Sequence, residues 1–400
     1  MKRDDLIPVV RARLKRLPVP YQSHFGVVPL PPPEIGIPLH AVAPRLSAAD
    51  AALARVDTLA AELKDPYLIS RILPRREAVS SSSIEGTNST LDELLSIEET
   101  DAEQSDAAVQ VRDYATALDN FVPRARAQKH KIFTIDLVQD LHRTVMAGDT
   151  AYKDKPGQLR NVVVWIGGTN ISYSTYNPTP PEDIPECLEQ AMDYMRFEGM
   201  PQVNQGFILR MAIAHSHFEA VHPFRDGDGR VGRLLLPLMM AAENHTPLYL
   251  SPYIETHKSD YYASLKAAQQ RLEWHEPAGF LADAIVGTAD ELLATRDALA
   301  ALTKVWRQRR KFRRGSAATR ALDILPHYPV LTIKRLAEIL DVSFPAAAQA
   351  VDLLVDGGML IERTGYVRNR VFIAAEALSI INRPFGEVPI LPDDPNKPNA

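Results

Sequence analysis

Apolar residues recur at helical spacing along most of the chain. From Ser47, a good N-cap residue, they fall three or four apart until Asp65-Pro66 breaks the run. A second helix is expected from Tyr67 to about Glu85-Gly86, and the capping box Thr90-Leu-Asp-Glu93 opens a third. The same periodicity predicts helices over 106–121, 134–146, 183–197, 207–221, 230–240, 260–270 and 278–302. The pattern therefore indicates a predominantly α-helical core.

Two segments before residue 170 depart from helical periodicity. Prolines cluster from Pro18 to Pro44, and because each lacks an N–H, we expect an extended arm that lies over another surface. The stretch 157–168, GQLRNVVVWIGG, is rich in Val, Ile and Trp between glycines. That composition predicts a short strand or β-hairpin.

The last hundred residues carry a separate pattern. Helices are expected over 319–325, 333–340 and 346–357, followed by two strands within 359–373. Three helices and a hairpin are typical of a winged helix-turn-helix domain. The predicted organisation is a Pro-rich arm (1–46), an N-terminal helical region (47–105), a helical core (106–302), a basic linker (303–315), a winged helix-turn-helix domain (316–383) and a Pro-rich tail (384–400).

Composition narrows the class of protein. The longest uncharged apolar run, 234–242, is less than half of the ~20 residues that cross a bilayer, and the amino terminus lacks a signal-peptide core. A single cysteine, Cys187, excludes an intrachain disulfide or a Cys-based zinc site and fits a reducing compartment. We therefore expect a cytoplasmic chain with no membrane contact. The net charge of -5 leaves nucleic-acid binding to a local basic patch.

The densest cluster of unusual residues is 214–233, AHSHFEAVHPFRDGDGRVGR. Three glycines stand directly before an expected helix, with Asp226 and Asp228 beside them and Arg230 and Arg233 after them. Glycines let successive backbone N–H groups converge, and a helix N-terminus adds partial positive charge. The stretch therefore predicts an anion cradle, with phosphate as its occupant.

Other interpretations of the same stretch are weaker. The match of 227–232 to GxGxxG lacks the preceding strand that a dinucleotide fold needs, and Pro237 stands where a calcium loop needs Glu. On a helix His215 and His217 face different sides, so capping or packing is favoured over a metal cluster. A Gly-rich turn with surface charge is the simplest alternative.

The combination His222-x-Phe224-x-Asp226-Gly227-x-Gly229-Arg230-x-x-Arg233 closely resembles HxFx[DE]GNGRxxR, the signature of the Fic (filamentation induced by cAMP) family. A distant second match, Ser81 to Gly86 (SSSIEG), resembles the family's inhibitory motif [ST]xxxE[GN]. Residues 157–168 resemble its target-docking flap, and the likeness extends to Leu302. The resemblance implies a mainly α fold, with a Fic-type helical core, a small β-hairpin flap and, as in many such proteins, a C-terminal winged helix-turn-helix domain.

The resemblance implies protein adenylylation (AMPylation), in which AMP moves from ATP to a Ser, Thr or Tyr hydroxyl of a target protein or of the chain itself. His222, mostly neutral at pH 7, would take the hydroxyl proton, and Asp226 would bind Mg²⁺. The nucleotide-binding residues would be Glu85, Gly227, Asp228, Gly229, Arg230, Val231, Gly232, Arg233, Tyr261 and Tyr262. The docking residues would be Val163, Val164, Trp165 and Ile166.

The same resemblance implies how the enzyme is regulated. It also reveals one position at which this chain departs from the family signature. Ser81 and Glu85 share a helix face, and Glu85 would pair with Arg233 in the γ-phosphate space, so that the enzyme rests inhibited. A Glu in that place could also orient water to remove AMP from modified protein. Asp228 replaces the family's Asn, and an ionised Asp cannot donate to a phosphate. It would turn outward, accept from a neighbouring N–H, or lie close to the metal.

The distribution of charge in the C-terminal domain indicates which class of partner it binds. From Ser343 to Leu360 there is no Lys or Arg, although 304–314 is basic. We therefore favour protein contact or self-association, including a homodimer, over DNA binding. The alternative to a regulated transferase is a nucleotide-sensing regulator that binds DNA or protein and transfers little.

Overall fold

The structure is a computed structural model that describes residues 1–33, 37–62, 71–99, 105–197, 206–363 and 370–392. The chain divides into two compact units. The first comprises residues 1–63, 80–87 and 109–289, and the second comprises 64–79, 88–108 and 290–400.

Helices dominate both units. Up to residue 309 the elements are α1 (Pro8–Arg11), β1 (Leu14–Arg16), β2 (Phe25–Val27), α2 (Ala43–Glu62), α3 (Leu73–Ile84), α4 (Leu91–Glu99), α5 (Asp106–Gln128), α6 (Ile135–Val145), α7 (Ile184–Arg196), α8 (Phe207–Val221), α9 (Asp228–Ala242), α10 (Ser251–Thr256), α11 (Lys258–Arg271) and α12 (His275–Arg309). They are followed by α13 (Ala317–Ile324), β3 (Val330–Thr332), α14 (Ile333–Leu340), α15 (Phe344–Asp356), β4 (Ile361–Glu362), β5 (Val371–Ile373) and α16 (Ala375–Ile381).

Helix α8 is the centre of the first unit. Every residue from Ile208 to Val221 is buried, and the helix packs against α2, α7, α9 and α11. A helix surrounded on all sides has a fixed position, because none of its faces can turn toward water. The loop that follows α8 therefore begins from a rigid helix.

The helical pattern of the sequence is largely confirmed. Helix α8 has the bounds that periodicity predicts, and the Thr134 hydroxyl caps α6 by accepting the Leu137 N–H at 3.1 Å. The Thr90 hydroxyl accepts the Glu93 N–H at 3.3 Å at the start of α4. The expected helix break at Asp65-Pro66 and helix start at Tyr67 lie outside the described residues.

Two expectations about the ends of helices are wrong. Helix α2 begins at Ala43 rather than Ser47, because Pro44 lies in the first turn, where its missing N–H has no intrahelical partner to lose. The proline-rich segment 18–44 contains the extended strand β2, which pairs antiparallel with β1. The basic linker is helical as far as Arg309, because the fully buried Trp306 anchors the end of α12.

The expected strand in 157–168 is also absent from the described structure. The stretch is irregular, and a single antiparallel bridge joins Ile166 to Tyr176. The Ile166 N–H donates to the Tyr176 carbonyl at 2.9 Å, and the Thr175 N–H donates to the Ile166 carbonyl at 2.8 Å. Gly167 and Gly168 follow in the left-handed region, with φ of 69° and 73°, and turn the chain before a ladder can extend.

In the second unit, helices α13 to α15 lie within two residues of their expected bounds and accompany a three-stranded antiparallel sheet in the order β3-β5-β4. The turn of the expected hairpin, 364–369, and the end of the tail, 393–400, lie outside the described residues. Phe344 and Val355 are exposed on α15. The winged-helix assignment and the preference for protein contact stay predictions. In the described parts of the chain, no helix is both long and apolar enough to cross a membrane.

Candidate active site

A short loop joins the end of α8 to the start of α9. His222 caps α8 in the left-handed region, with φ of 51°, and Gly227 stands before α9 with φ of 84°. A Cβ on Gly227 would lie 2.8 Å from the Met146 sulfur, so only glycine fits this turn. The loop places the His222 side chain beside the N-terminus of α9.

His222 is an almost buried base. Its side chain is 21% exposed, and its Nδ1 has no hydrogen-bond partner among the described residues. Burial and the nearby charge of Arg160 lower the pKa of His222 to about 3. The imidazole is therefore neutral at pH 7 and can accept a proton.

Asp228, the departure from the family signature, points inward. Its Oδ1 accepts the Phe224 N–H at 2.9 Å, and its Oδ2 lies 3.3 Å from Nε2 of His222. Burial raises the pKa of this carboxyl well above its usual range. Of the three positions considered from the sequence, the structure shows the second, because one carboxyl oxygen closes the loop by accepting a neighbouring N–H.

This contact predicts how substitutions at Asp228 affect stability. Asp228→Ala should lower the free energy of unfolding by about 1–3 kcal/mol, because it leaves the buried Phe224 N–H without an acceptor. Asp228→Asn should cost less than half as much, since the amide oxygen still accepts that N–H. Urea unfolding of both variants measures the difference. Equal losses would show that the Phe224 contact does not hold the loop.

Asp226 differs from Asp228 in being exposed. Its Oδ1 accepts the Gly227 N–H at 2.6 Å, and its backbone carbonyl lies 3.0 Å from Nε2 of His142. No group of three metal-ligating side chains occurs within the described ranges. One carboxylate nevertheless suits Mg²⁺, which usually binds one or two protein carboxylates together with substrate phosphates and water.

The start of α9 carries a buried cation with two nitrogens that lack hydrogen-bond acceptors among the described residues. Arg230 is buried, and its Nη2 contacts the Met146 sulfur at 3.0 Å. Its Nε and Nη1 find no acceptor in the part of the chain that the structure describes. A buried guanidinium needs an anionic partner, and it lies one turn from a helix N-terminus with partial positive charge. The anion cradle predicted from the glycines stays a prediction, and Val231 and Gly232, which follow Arg230, are buried.

Arg233, one turn further along α9, is already paired. Its Nη2 donates to Glu85 Oε1 at 2.7 Å and to the Ser81 carbonyl at 2.9 Å, and its Nε donates to the Ser81 hydroxyl at 2.9 Å. Burial alone would raise the pKa of Glu85, but the Arg233 guanidinium holds it below its usual range. The two distant sequence motifs thus meet in one ion pair.

One cleft of about 470 Å³ is lined by some residues of each motif, namely Glu85 of the first and His222, Gly229 and Arg233 of the second. Its walls include Glu85, Ile166, His222, Gly229, Arg233 and Tyr262. Gly229 lies against Glu85, and a Cβ there would collide with the carboxylate. The volume is typical of a small-molecule site.

Tyr261 and Tyr262 occupy different parts of this cleft. Tyr262 is 45% exposed, whereas Tyr261 is buried with its hydroxyl 2.7 Å from Nε2 of His215. His215 Nδ1 lies 3.2 Å from the Gly232 carbonyl, and His217 Nε2 lies 3.1 Å from the Cys187 carbonyl. Both histidines therefore pack against backbone, which agrees with the packing role favoured from the sequence.

The predicted docking residues lie at the edge of the site. Val163, Val164 and Trp165 are partly exposed, and their backbone groups make no hydrogen bond to any described residue. Only Ile166 is bridged, and it also lines the cleft. Unpaired backbone beside a cleft can accept an added strand.

Sequence reasoning gave no role to Arg160, His142 or Glu219. His142 Nδ1 accepts the Gly157 N–H at 2.8 Å, so its Nε2 carries the proton and donates to the Asp226 carbonyl. Glu219 lines the cleft, and its Oε1 has no hydrogen-bond partner among the described residues. Burial raises the pKa of Glu219 to about 7. In the sequence, the one signal that Glu219 could have a function is that an acidic residue stands within an apolar helix.

Comparison with curated proteins finds adenylyltransferases. Protein adenylyltransferase fic-1 of Caenorhabditis elegans is 34% identical over 142 residues, which cover 36% of this chain and 25% of that protein. Protein adenylyltransferase Fic of Drosophila willistoni is 27% identical over 221 residues, which cover 54% of this chain and 41% of that protein. The chain thus spans between a quarter and about two fifths of the length of these relatives.

Solved structures share the fold. A Fic family protein from Desulfovibrio desulfuricans matches with a TM-score of 0.53 and 19% identity over 86% of this chain and 98% of its own. Fic-1 from C. elegans matches with a TM-score of 0.51 and 21% identity over 64% of this chain and 72% of its own. Family profiles match residues 43–121 as the Fic/DOC family N-terminal domain and residues 132–240 as the Fic/DOC family. Residues 43–121 and 132–240 therefore carry the two Fic/DOC family domains, and the chain has the mainly helical fold of Fic-family structures.

Proposed function

We propose that this chain is a protein adenylyltransferase that moves AMP from ATP to a hydroxyl side chain of a target protein or of itself. The observation that carries the proposal is the cleft that neutral His222 lines together with Gly229, at the start of α9, and with Arg233 and Glu85. The relatives named as adenylyltransferases support the same chemistry.

His222 would act as general base. It takes the proton of the target hydroxyl as that oxygen bonds to the α-phosphorus of ATP, and the bond from the α-phosphorus to the bridging oxygen breaks to release pyrophosphate. An anionic nucleotide beside His222 would raise its low pKa toward the working pH, which strengthens the base. Arg230 and the first N–H groups of α9 would bind the phosphates.

Asp226 is the residue that would hold Mg²⁺, because it is exposed on the loop before α9. The ion, when bound, neutralises phosphate charge. The protein's own part is to hold the Asp226 backbone, whose carbonyl accepts from His142.

Replacing this carboxylate should change the dependence on metal. Asp226→Ala should raise the Mg²⁺ concentration needed for half-maximal AMP transfer by about tenfold, which corresponds to about 1.4 kcal/mol. Excess Mg²⁺ should restore part of the rate. Titration of metal at saturating ATP measures the shift. Asp154→Ala is the control, because Asp154 is a carboxylate that does not line the cleft. A loss that no metal concentration relieves would remove the metal role from Asp226.

The paired Arg233 suggests that the described state is inhibited. Its guanidinium would hold the γ-phosphate of ATP in the productive orientation, but Glu85 occupies it at 2.7 Å. Gly229, at the start of α9, lies against the same carboxylate. ATP and Glu85 would therefore compete for one cation.

Target binding would use the backbone of 163–166. An extended segment that adds to these unpaired groups gains hydrogen bonds without a demand for one sequence, and its hydroxyl would lie near the cleft that Ile166 lines. The same reasoning allows a second copy of the chain to serve as the target.

Labelled ATP separates the candidate functions. An adenylyltransferase should transfer label from the α-phosphate to protein and none from the γ-phosphate. A nucleotide-sensing regulator should bind ATP and label nothing. A third candidate, removal of AMP from modified protein, is favoured by the Glu85 carboxylate, which is 33% exposed and lines the cleft with His222. That activity should release AMP from labelled protein and stop in Glu85→Gly.

A further inference from the structure

Arg160 links the loop after α6 to the end of α8. Its Nε donates to the His222 carbonyl at 2.7 Å, and its Nη2 donates to the Thr179 carbonyl at 2.6 Å and to the Val221 carbonyl at 3.3 Å. Its Nη1 donates to the Val162 carbonyl at 2.9 Å. The Arg160 backbone N–H also donates to the Pro223 carbonyl, at 2.9 Å. One residue thus binds three consecutive carbonyls, those of residues 221–223.

The location of this charge is unusual. Arg160 is only 5% exposed, and all its described hydrogen-bond acceptors are backbone carbonyls rather than carboxylates. The last carbonyls of a helix lack intrahelical partners and carry partial negative charge, so the end of α8 compensates the guanidinium. The planar fork of Arg can reach several acceptors at once, which the ammonium of Lys cannot do in the same geometry.

The backbone that Arg160 holds is the one that aims the base. His222 is a non-glycine residue in the left-handed region, a conformation that persists only when its surroundings impose it. The Arg160 contact to the His222 carbonyl is such a constraint. The Arg160 guanidinium also donates to the carbonyl of Val162, two residues after Arg160. Val162 directly precedes the docking residues 163–166.

We propose that Arg160 is a positioning residue that fixes the His222 backbone relative to the docking segment 163–166. The hydroxyl of a docked target is thereby held where the His222 imidazole can accept its proton. The inference rests on the proposed adenylyl transfer. A second link supports it, since His142 joins Gly157, at the start of the same loop, to the Asp226 carbonyl. The segment that receives the target and the loop that carries the base are therefore one hydrogen-bonded assembly.

The test compares Arg160→Ala, Arg160→Lys and a matched control in the full chain. Arg210→Ala is the control, because Arg210 lies on α8, the helix whose end Arg160 binds, is also 5% exposed and pairs with Glu243 away from the cleft lining. Arg160→Ala should lower kcat for AMP transfer by about 10²-fold while the KM for ATP changes less than about threefold, because misplacement of a reacting group costs rate rather than nucleotide affinity. Arg210→Ala should lose stability and keep kcat.

Added guanidinium ion should restore about tenfold of the lost rate in Arg160→Ala, whereas methylammonium should restore none, because only the planar ion matches the carbonyl geometry. A kcat that is unchanged in Arg160→Ala, equally reduced in Arg210→Ala, or insensitive to guanidinium would overturn the proposal. If Arg160→Ala does not fold, Arg160→Lys decides, with the same expected fall in kcat.

Amide exchange separates this inference from the proposed function. The backbone N–H groups of His222 and of residues 224–228 should exchange at least tenfold faster in Arg160→Lys than in wild type and be unchanged in Arg210→Ala, whether or not the protein transfers AMP. Unchanged exchange in Arg160→Lys would overturn the positioning role. If α-labelled ATP leaves wild type unlabelled while the loop exchange rises, the proposed function has failed and the structural link has not.

Discussion

Replacing His222 by alanine should lower AMP transfer by about 10²- to 10⁴-fold, which is the range that a general base contributes. Burial makes this imidazole neutral, and its Nδ1 has no hydrogen-bond partner in the described structure, so its basicity is available for the target hydroxyl. ATP affinity should change less than about threefold, because Arg230 and the start of α9 bind the phosphates. Transfer of α-labelled AMP and equilibrium ATP binding measure the two quantities.

The matched control is His245→Ala. His245 is also partly buried and pairs with Asp57, but it lies outside the cleft lining. It should keep its labelling rate. Wild-type labelling by a folded His222→Ala protein would remove His222 from the mechanism, and loss of ATP binding in that variant would assign it to the nucleotide site instead.

Local sequence signals predicted most helices because their causes are local. Apolar spacing places α8, and the Thr134 and Thr90 hydroxyls cap the helices that follow them. The 157–168 segment shows where such reasoning fails. Its Val and Ile residues fit a strand, but Gly167 and Gly168 turn the chain, and Arg160 takes a carbonyl that a strand partner would need. Arg160 is in turn held by the carbonyls of Thr179, Val221 and His222, which are distant along the chain.

The candidate site likewise contains residues that the sequence predicts and one, Arg160, that it does not. The signature fixed the order of His222, Asp226 and Arg230, and the structure brings its Arg233 to Glu85 as the resemblance implied. Arg160 could not be predicted, because an arginine between loop residues usually lies in solvent. Its role depends on carbonyls at the end of α8, and the Val221 contact spans 61 residues of sequence. Tertiary contacts of this kind leave no spacing pattern.

Replacing Glu85 by glycine should raise AMP transfer by about 10- to 100-fold. The Glu85 contact to Arg233 is a charge-assisted hydrogen bond, a class that contributes about 1.5–3 kcal/mol, and ATP must displace it to reach the guanidinium. Glu85→Gly also removes the carboxylate that lies against Gly229. Self-labelling with α-labelled ATP and Mg²⁺ measures the gain. Glu255→Gly is the control, because Glu255 accepts from Ser83, two residues before Glu85, and Arg233 donates to Glu85 and not to Glu255.

The direction of the change distinguishes three roles for Glu85. A surface carboxylate would give no change, a carboxylate needed for forward transfer would give a fall, and an inhibitory one gives a rise. The double variant Glu85→Gly with Arg233→Ala should lose the gain, because the freed guanidinium of Arg233 is what the gain depends on. If the double variant labels as fast as Glu85→Gly, release of Arg233 is not the cause of activation. If folded Glu85→Gly labels no faster than wild type, the ion pair between the two motifs stabilises the fold and does not restrain the reaction.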